Sequence, residues 1–301
     1  MLVGPTASGK TEVSLRVAER CGAEIVSADS MQIYRGMSIG TAKPSAEQRR
    51  RVPHHLIDIL DPDESYSAAR FQQDADQAIR GILGRDRVPL VVGGTGLYVR
   101  ALLHGLFPES AAGRSHTWQE RIGELRRHGE NPYGRLALLD PGAASRIHPN
   151  DAVRAQRALE VFLRTGRSIA SLQAGHGFQV DRYRALLVGL QVDRDLLKRR
   201  IHERVDRMIA QGLLEETRSL LGKGYAPELP SLMGLGYRHL VRVLRHEITL
   251  DQARERMQRD TRRYAKRQMT WFLNQEKVAW LDGSLPDEKI CDAFQLLLEG
   301  V

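Results

Sequence analysis

Gly4, Pro5, Thr6, Ala7, Ser8, Gly9, Lys10 and Thr11 fit the pattern G-x-x-x-x-G-K-T in full. Glycines at both ends of such a run let the backbone turn its N–H groups inward around phosphate oxygens, and a helix beginning at the lysine adds its positive end. Lys10 supplies a point charge, and the Thr11 hydroxyl is placed to sit on Mg²⁺. The pattern specifies a phosphate compound without saying which: a nucleoside triphosphate is the usual ligand, and a prenyl diphosphate offers a similar pair of phosphates. Two further loops carry candidate chemistry. Asp29-Ser30 suits a general base, a metal contact or a helix N-cap. Gly93-Gly94-Thr95-Gly96 permits close approach of a ligand, with Thr95 as a donor to a reacting oxygen, or serves only to reverse the chain.

These loops need rigid elements behind them. An apolar stub at 1–3, with only three residues ahead of Gly4, predicts a short first strand, and Val13, Val17 and Ala18 recur at helical spacing after it. Residues 23–28, 55–60, 89–92, 185–192 and 278–281 read as further strands, and 67–83 and 195–221 as helical stretches. Strands alternating with helices predict a parallel sheet flanked by helices, and in such a sheet Asp29 and Thr95 follow strands and so face the crevice at its carboxyl edge. The rhythm breaks between 114 and 184, where helical spacing and punctuating Gly and Pro appear without a convincing strand. This stretch is expected to be a helical insert dividing an α/β core of 1–113 and 185–301.

Lys and Arg number 45 against 37 Asp and Glu, a net charge of +8. Such a field favours polyanionic partners. The excess is concentrated: 114–184 holds twelve Arg, no Lys and seven acids, and 254–267 holds seven basic residues and two acids. Arg259, Arg263 and Arg267, spaced by four, would share one helix face. Each run has a plain alternative as a solvated helix face. No apolar run approaches the roughly 20 residues of a bilayer span. The opening residues lack the basic flank and apolar stretch of a signal peptide, so a cytoplasmic protein is expected. Cys21 and Cys291 have no metal-site spacing and are expected to be reduced core residues.

Taken together, these motifs resemble the tRNA dimethylallyltransferase (tRNA isopentenyltransferase) family. The resemblance rests on the phosphate loop, on 29–37 and 39–44, on Pro53-His54-His55-Leu56 and Tyr66-Ser67-Ala68, and on Gly93-Gly94-Thr95-Gly96-Leu97-Tyr98. His148-Pro149-Asn150-Asp151 and Arg157-Ala158-Leu159-Glu160 follow in the insert, then Gly234-Leu235-Gly236-Tyr237-Arg238 and 265–271. It covers essentially the whole chain in order.

The resemblance implies a P-loop NTPase-like core with an inserted all-helical tRNA-binding domain. It implies transfer of a dimethylallyl group from its diphosphate to N6 of the adenosine next to the anticodon, in tRNAs reading codons that begin with U, with Mg²⁺ present and no nucleoside triphosphate consumed. Asp29 matches the general base, with Thr95 and Lys10 also catalytic. The loop from Gly4 to Thr11 would hold the diphosphate, with Arg204 and Arg218 as added candidates and Thr11 on the metal. Asp29, Ser30, Met31, Gln32 and Thr95, with Gln119, Gln156, Arg157, Ala158, Leu159 and Glu160 in the insert, would contact the anticodon loop of tRNA. Gln119 stands where the family pattern leads one to expect Arg. No Cys/His zinc module of the eukaryotic kind is seen, and a monomer is expected. An adenylate isopentenyltransferase or a P-loop small-molecule kinase would explain the phosphate loop but leave the Arg-rich insert idle, and a non-catalytic RNA-binding protein would leave Asp29 and Thr95 unexplained.

Overall fold

Short apolar strands buried on both faces build the centre of one parallel sheet, as expected when helices cover both sides. The structure is a computed structural model that describes residues 1–106, 131–176 and 181–299. The strands are β1 (Leu2–Val3), β2 (Ala23–Ser27), β3 (His54–His55), β4 (Val88–Gly93), β5 (Val188–Gln191) and β6 (Ala279–Asp282), in the order β3-β2-β4-β1-β5-β6. All five pairings are parallel, with Leu2 beside Val92 and Val188, and Val26 beside Val91 and His55.

Side chains alternate across the sheet. Val3, Val26 and Val91 face α3 (Ala68–Leu83), α4 (Gly96–His104) and Phe272, whereas Leu2, Ile25, Leu90 and Val188 face α1 (Lys10–Cys21) and the last helix, α13 (Asp287–Glu299). Cys291 lies buried in the second of these layers, and both cysteines are free. A third cluster joins Ile33, Tyr34, Met37 and Leu60 to α9 (Arg194–Ala210), α10 (Leu213–Gly222), α11 (Tyr237–Leu244) and α12 (Leu250–Gln275).

Two sequence expectations change. The strand expected over 55–60 is broken: His54 and His55 pair with β2, Leu56 and Asp58 take positive φ of 62° and 55° and turn the chain, and Leu60 makes an isolated parallel bridge to Tyr34. Ile59 N and Leu60 N then donate to Ile33 O. The stretch 195–221 is two helices, divided where Gly212 caps α10 at φ 96°.

Met1–Leu103 with Tyr183–Val301 forms one compact unit, and His104–Arg182 forms another. The second unit therefore starts where α4 ends, earlier than 114. Its described residues hold the helices α5 (Pro132–Leu139), α6 (Pro141–Ala144), α7 (Ala152–Thr165) and α8 (Ile169–His176) and no strand, whereas α2 (Ala46–Arg51) belongs to the first unit. Asn131, Asp140 and Asp151 cap three of these helices by accepting from Tyr133 N, Ala143 N and Arg154 N. Leu136, Ala143, Ala144, Ala155, Ala158 and Leu159 form the core of this unit.

Candidate active site

The phosphate loop runs from the end of β1 into α1. Gly9 caps the helix at φ 97° without any side-chain bond, so the first-turn amides stay open to a ligand. Lys10 folds back over the loop, its Nζ donating to Gly4 O at 2.8 Å and Pro5 O at 2.6 Å. Burial pushes the Lys10 ammonium down to about 7; Arg204 nearby pushes the same way, and Asp29 opposes. Thr11 is exposed on the wall of the same cleft.

Asp29 leaves the carboxyl end of β2. Its Oδ1 accepts from Met31 N at 2.8 Å and Gln32 N at 3.4 Å, which caps the following turn. Oδ2 carries no hydrogen bond among the described residues, so the carboxylate both shapes its loop and keeps one oxygen for other work. Gln32 is held by Ser27 Oγ at 3.1 Å and reaches Thr41 O and Ala42 O, each at 3.4 Å. Thr95 is tied to the Asp29 loop: its Oγ1 accepts from Ser30 N at 3.1 Å and donates to Ser30 Oγ at 3.5 Å, and its N donates to Ala28 O at 3.3 Å. Gly93 and Gly94 line the cleft, but Thr95 does not. Its hydroxyl meets Ser30, which itself lines the cleft.

The cleft measures about 1070 Å³ and is bounded by the phosphate loop, Asp29 to Gln32, Ser38 to Pro44, α9 and α12. Lys10, Lys43, Arg200, Arg204, Arg207, Arg238 and Arg267 face it against Glu12, Asp29 and Glu203, a cationic excess suited to an anion. Arg204 interacts with both Lys10 and Asp29, and burial lowers its proton affinity. Arg218, named with it in the sequence, lies outside: it is exposed on α10 and pairs with Glu215 at 3.6 Å. Arg200, which the sequence reading passed over, donates to Ser8 O at 3.3 Å and Gly283 O at 3.1 Å.

Two other polar residues escaped sequence reasoning. Gln268 on α12 accepts from Thr6 N at 2.8 Å and donates to Gly94 O at 2.9 Å, bridging the phosphate loop and the glycine-rich loop. Glu216 on α10 accepts from the amides of Ser38, Ile39 and Gly40 and from Tyr237 Oη at 2.6 Å, fixing the segment opposite. The only hint of Gln268 was its place in a motif run; a lone glutamine on a long helix has no spacing signature.

Within the insert, Gln156 donates to Glu160 at 2.7 Å and Arg157 pairs with Glu160 at 3.6 Å, forming one polar strip of α7. Ala158 and Leu159 are corrected: both side chains are fully buried in the insert's own core, since they fall on the inner stripe of the helix. Gln119 lies outside the described residues.

The profile of the IPP transferase family matches residues 32–275, and that of the isopentenyl transferase family matches 1–57. The chain belongs to the IPP transferase family. It is 51% identical over 280 residues to the tRNA dimethylallyltransferase of Geobacter metallireducens, covering 93% of this chain and 90% of that one. Among solved structures it resembles the full-length tRNA isopentenylpyrophosphate transferase of Bacillus halodurans at a TM-score of 0.75 and 40% identity, covering 99% of this chain and 94% of that one. It also resembles a eukaryotic dimethylallyltransferase described as acting on tRNA, at a TM-score of 0.79 and 28% identity over 94% of this chain and 73% of that one. Membership of the IPP transferase family agrees with the P-loop NTPase-like parallel sheet.

Proposed function

We propose that this chain transfers a dimethylallyl group from dimethylallyl diphosphate to N6 of the adenosine next to the anticodon in tRNA. One observation carries the reading: the Asp29 carboxylate and the Lys10 loop face a single cationic cleft with room for a diphosphate and a purine. The exocyclic amine is a weak nucleophile because its lone pair is delocalised into the ring. As the N6–C1 bond forms and the C1–O bond to diphosphate breaks, Asp29 takes the N6 proton; such general base catalysis contributes about 10²–10⁴-fold. Lys10, the open amides of the loop and Arg204 stabilise the charge that builds on the leaving diphosphate. Thr95 acts at one remove, holding Ser30 and so the Asp29 turn.

A magnesium ion fits this arrangement with Thr11 as its protein ligand. Among the described residues no group of three or more His, Cys, Asp or Glu side chains is built to hold a metal, and Mg²⁺ characteristically takes few protein ligands, substrate phosphates and water. When bound it would neutralise diphosphate charge. The target adenine must leave its stack to enter the cleft. Ser30, Met31 and Gln32 line its wall beside Asp29 and would meet the base. The exposed arginines Arg135, Arg146, Arg154 and Arg167 of the insert suit RNA phosphates.

The test incubates the protein with tRNA, Mg²⁺ and dimethylallyl diphosphate and reads adenosine modification by mass spectrometry. N6-isopentenyladenosine is expected, and Asp29→Asn, which keeps an acceptor for Met31 N, should lose about 10²-fold or more in turnover while still binding tRNA. Labelling of free AMP instead, or ATP turnover with a small acceptor, would replace this function.

A further inference from the structure

We infer that Gln268 is a positioning residue, setting the gap between the diphosphate-holding loop and the loop that carries Asp29. The inference rests on the proposed function and assigns a task to a side chain that touches no reacting atom. Gln268 is 8% exposed and comes from α12, far along the chain from both loops. Its amide is used at both ends: Oε1 accepts from Thr6 N at 2.8 Å, and Nε2 donates to Gly94 O at 2.9 Å. Gly94 is close enough that a Cβ there would lie 2.2 Å from Nε2, so the glycine is what lets the amide in. From Gly94 the linkage continues to Asp29, because Thr95 N donates to Ala28 O and Thr95 Oγ1 accepts from Ser30 N on either side of it. The same helix packs Trp271 over Gly96, where a Cβ would lie 2.3 Å from the ring, so α12 fixes the second loop at two points. Thr6 on one arm and Asp29 on the other hold the two reactants, and a misplacement of order 1 Å costs about 10²-fold in rate.

The bridge needs one acceptor and one donor on a planar group of this length, a requirement that separates it from simple packing. A protonated carboxyl meets the requirement and an ionised one does not, since it cannot donate and would face Gly94 O with negative charge. Burial against a carbonyl raises a carboxyl above its ordinary value of about 4.3.

The experiment compares wild type, Gln268→Glu and Gln268→Leu, reading kcat/KM for dimethylallyl diphosphate from about pH 5.5 to 8.5 and, in parallel, calorimetric affinity for inorganic diphosphate. Gln268→Leu should lose about 10–100-fold in kcat/KM at every pH with tRNA affinity retained. Relative to wild type, Gln268→Glu should be similarly impaired at high pH and recover at least about tenfold as pH falls and the carboxyl protonates. Near wild-type values for Gln268→Leu, or a Gln268→Glu ratio that stays flat with pH, overturn the inference. If Gln268→Leu does not fold, the Gln268→Glu profile decides alone. A wild type that fails to modify tRNA removes the proposed function instead, and the diphosphate affinities of the same variants then still report whether Gln268 positions the loop.

Discussion

Lys10 is the residue whose setting most directly predicts behaviour. Burial leads, with Arg204 adding to it, in holding its ammonium down to about 7 against the pull of Asp29. Above that pH the side chain of the unliganded protein is neutral. A bound diphosphate favours the charged form, so binding at high pH must take up a proton. Affinity is therefore full below about pH 7 and falls as pH rises through it, by up to about tenfold per unit. Calorimetry of inorganic diphosphate between about pH 6.5 and 9 checks this, with Lys10→Arg, which stays charged, expected to flatten the slope. A wild-type profile that falls no more steeply than that of Lys10→Arg would contradict the lowered proton affinity of Lys10. At this scale the sequence was informative where a residue type is forced by a loop of fixed geometry, as for Gly9, Lys10 and Asp29. It could not separate Arg204 from Arg218, because only folding decides which helix face meets the cleft. Gln268 was illegible for a related reason: both its partners are backbone groups, which leave no trace in residue identity.

The site exists because β1, β2 and β4 end side by side, so that loops distant in sequence share one edge of the sheet. Gly93, the last residue of β4, marks how tightly this edge is drawn: a Cβ there would lie 2.2 Å from Ala28 O, a backbone atom that cannot swing away. Gly93→Ala must push β2 and β4 apart where Ala28 N donates to Val92 O at 2.8 Å. A loss of about 2–4 kcal/mol is expected, at or above the usual range for overpacking because backbone has to move. Urea unfolding measures it, and a midpoint unchanged from wild type would mean the edge is looser than described. Apolar runs made the central strands readable. The broken strand at 55–60 has the right apolar content, but Leu56 and Asp58 take positive φ, and Asp58, Ile59 and Leu60 bond to the 32–35 segment, a tertiary pairing that residue type does not announce. The helix break at Gly212 was signalled by the glycine itself and overridden by the apolar spacing on either side.

Over the whole molecule, composition told which partner to look for and the sheet told where chemistry sits, while neither alone joined them. A net charge of +8, with arginines exposed on the insert and cations lining the cleft, gives both compact units the same electrostatic preference. The buried Ala158 and Leu159 show the limit of reading a binding strip from a motif: one helix supplies core and surface in alternation, and only the outward residues are available to RNA. If phosphate contacts from these side chains dominate tRNA binding, each releases counterions, and log K should fall with log salt by about 0.7–0.9 per neutralised phosphate. A filter-binding titration between about 50 and 200 mM salt should therefore show a steep linear loss, and at six or more contacts the drop reaches about 10³-fold. Arg267→Gln, removing a cation from the cleft wall, should lower the slope by about one contact while affinity for inorganic diphosphate, held by Lys10 and the loop amides, changes little. A shallow slope in the wild type would mean that base and shape recognition, not the arginine surface, hold the tRNA.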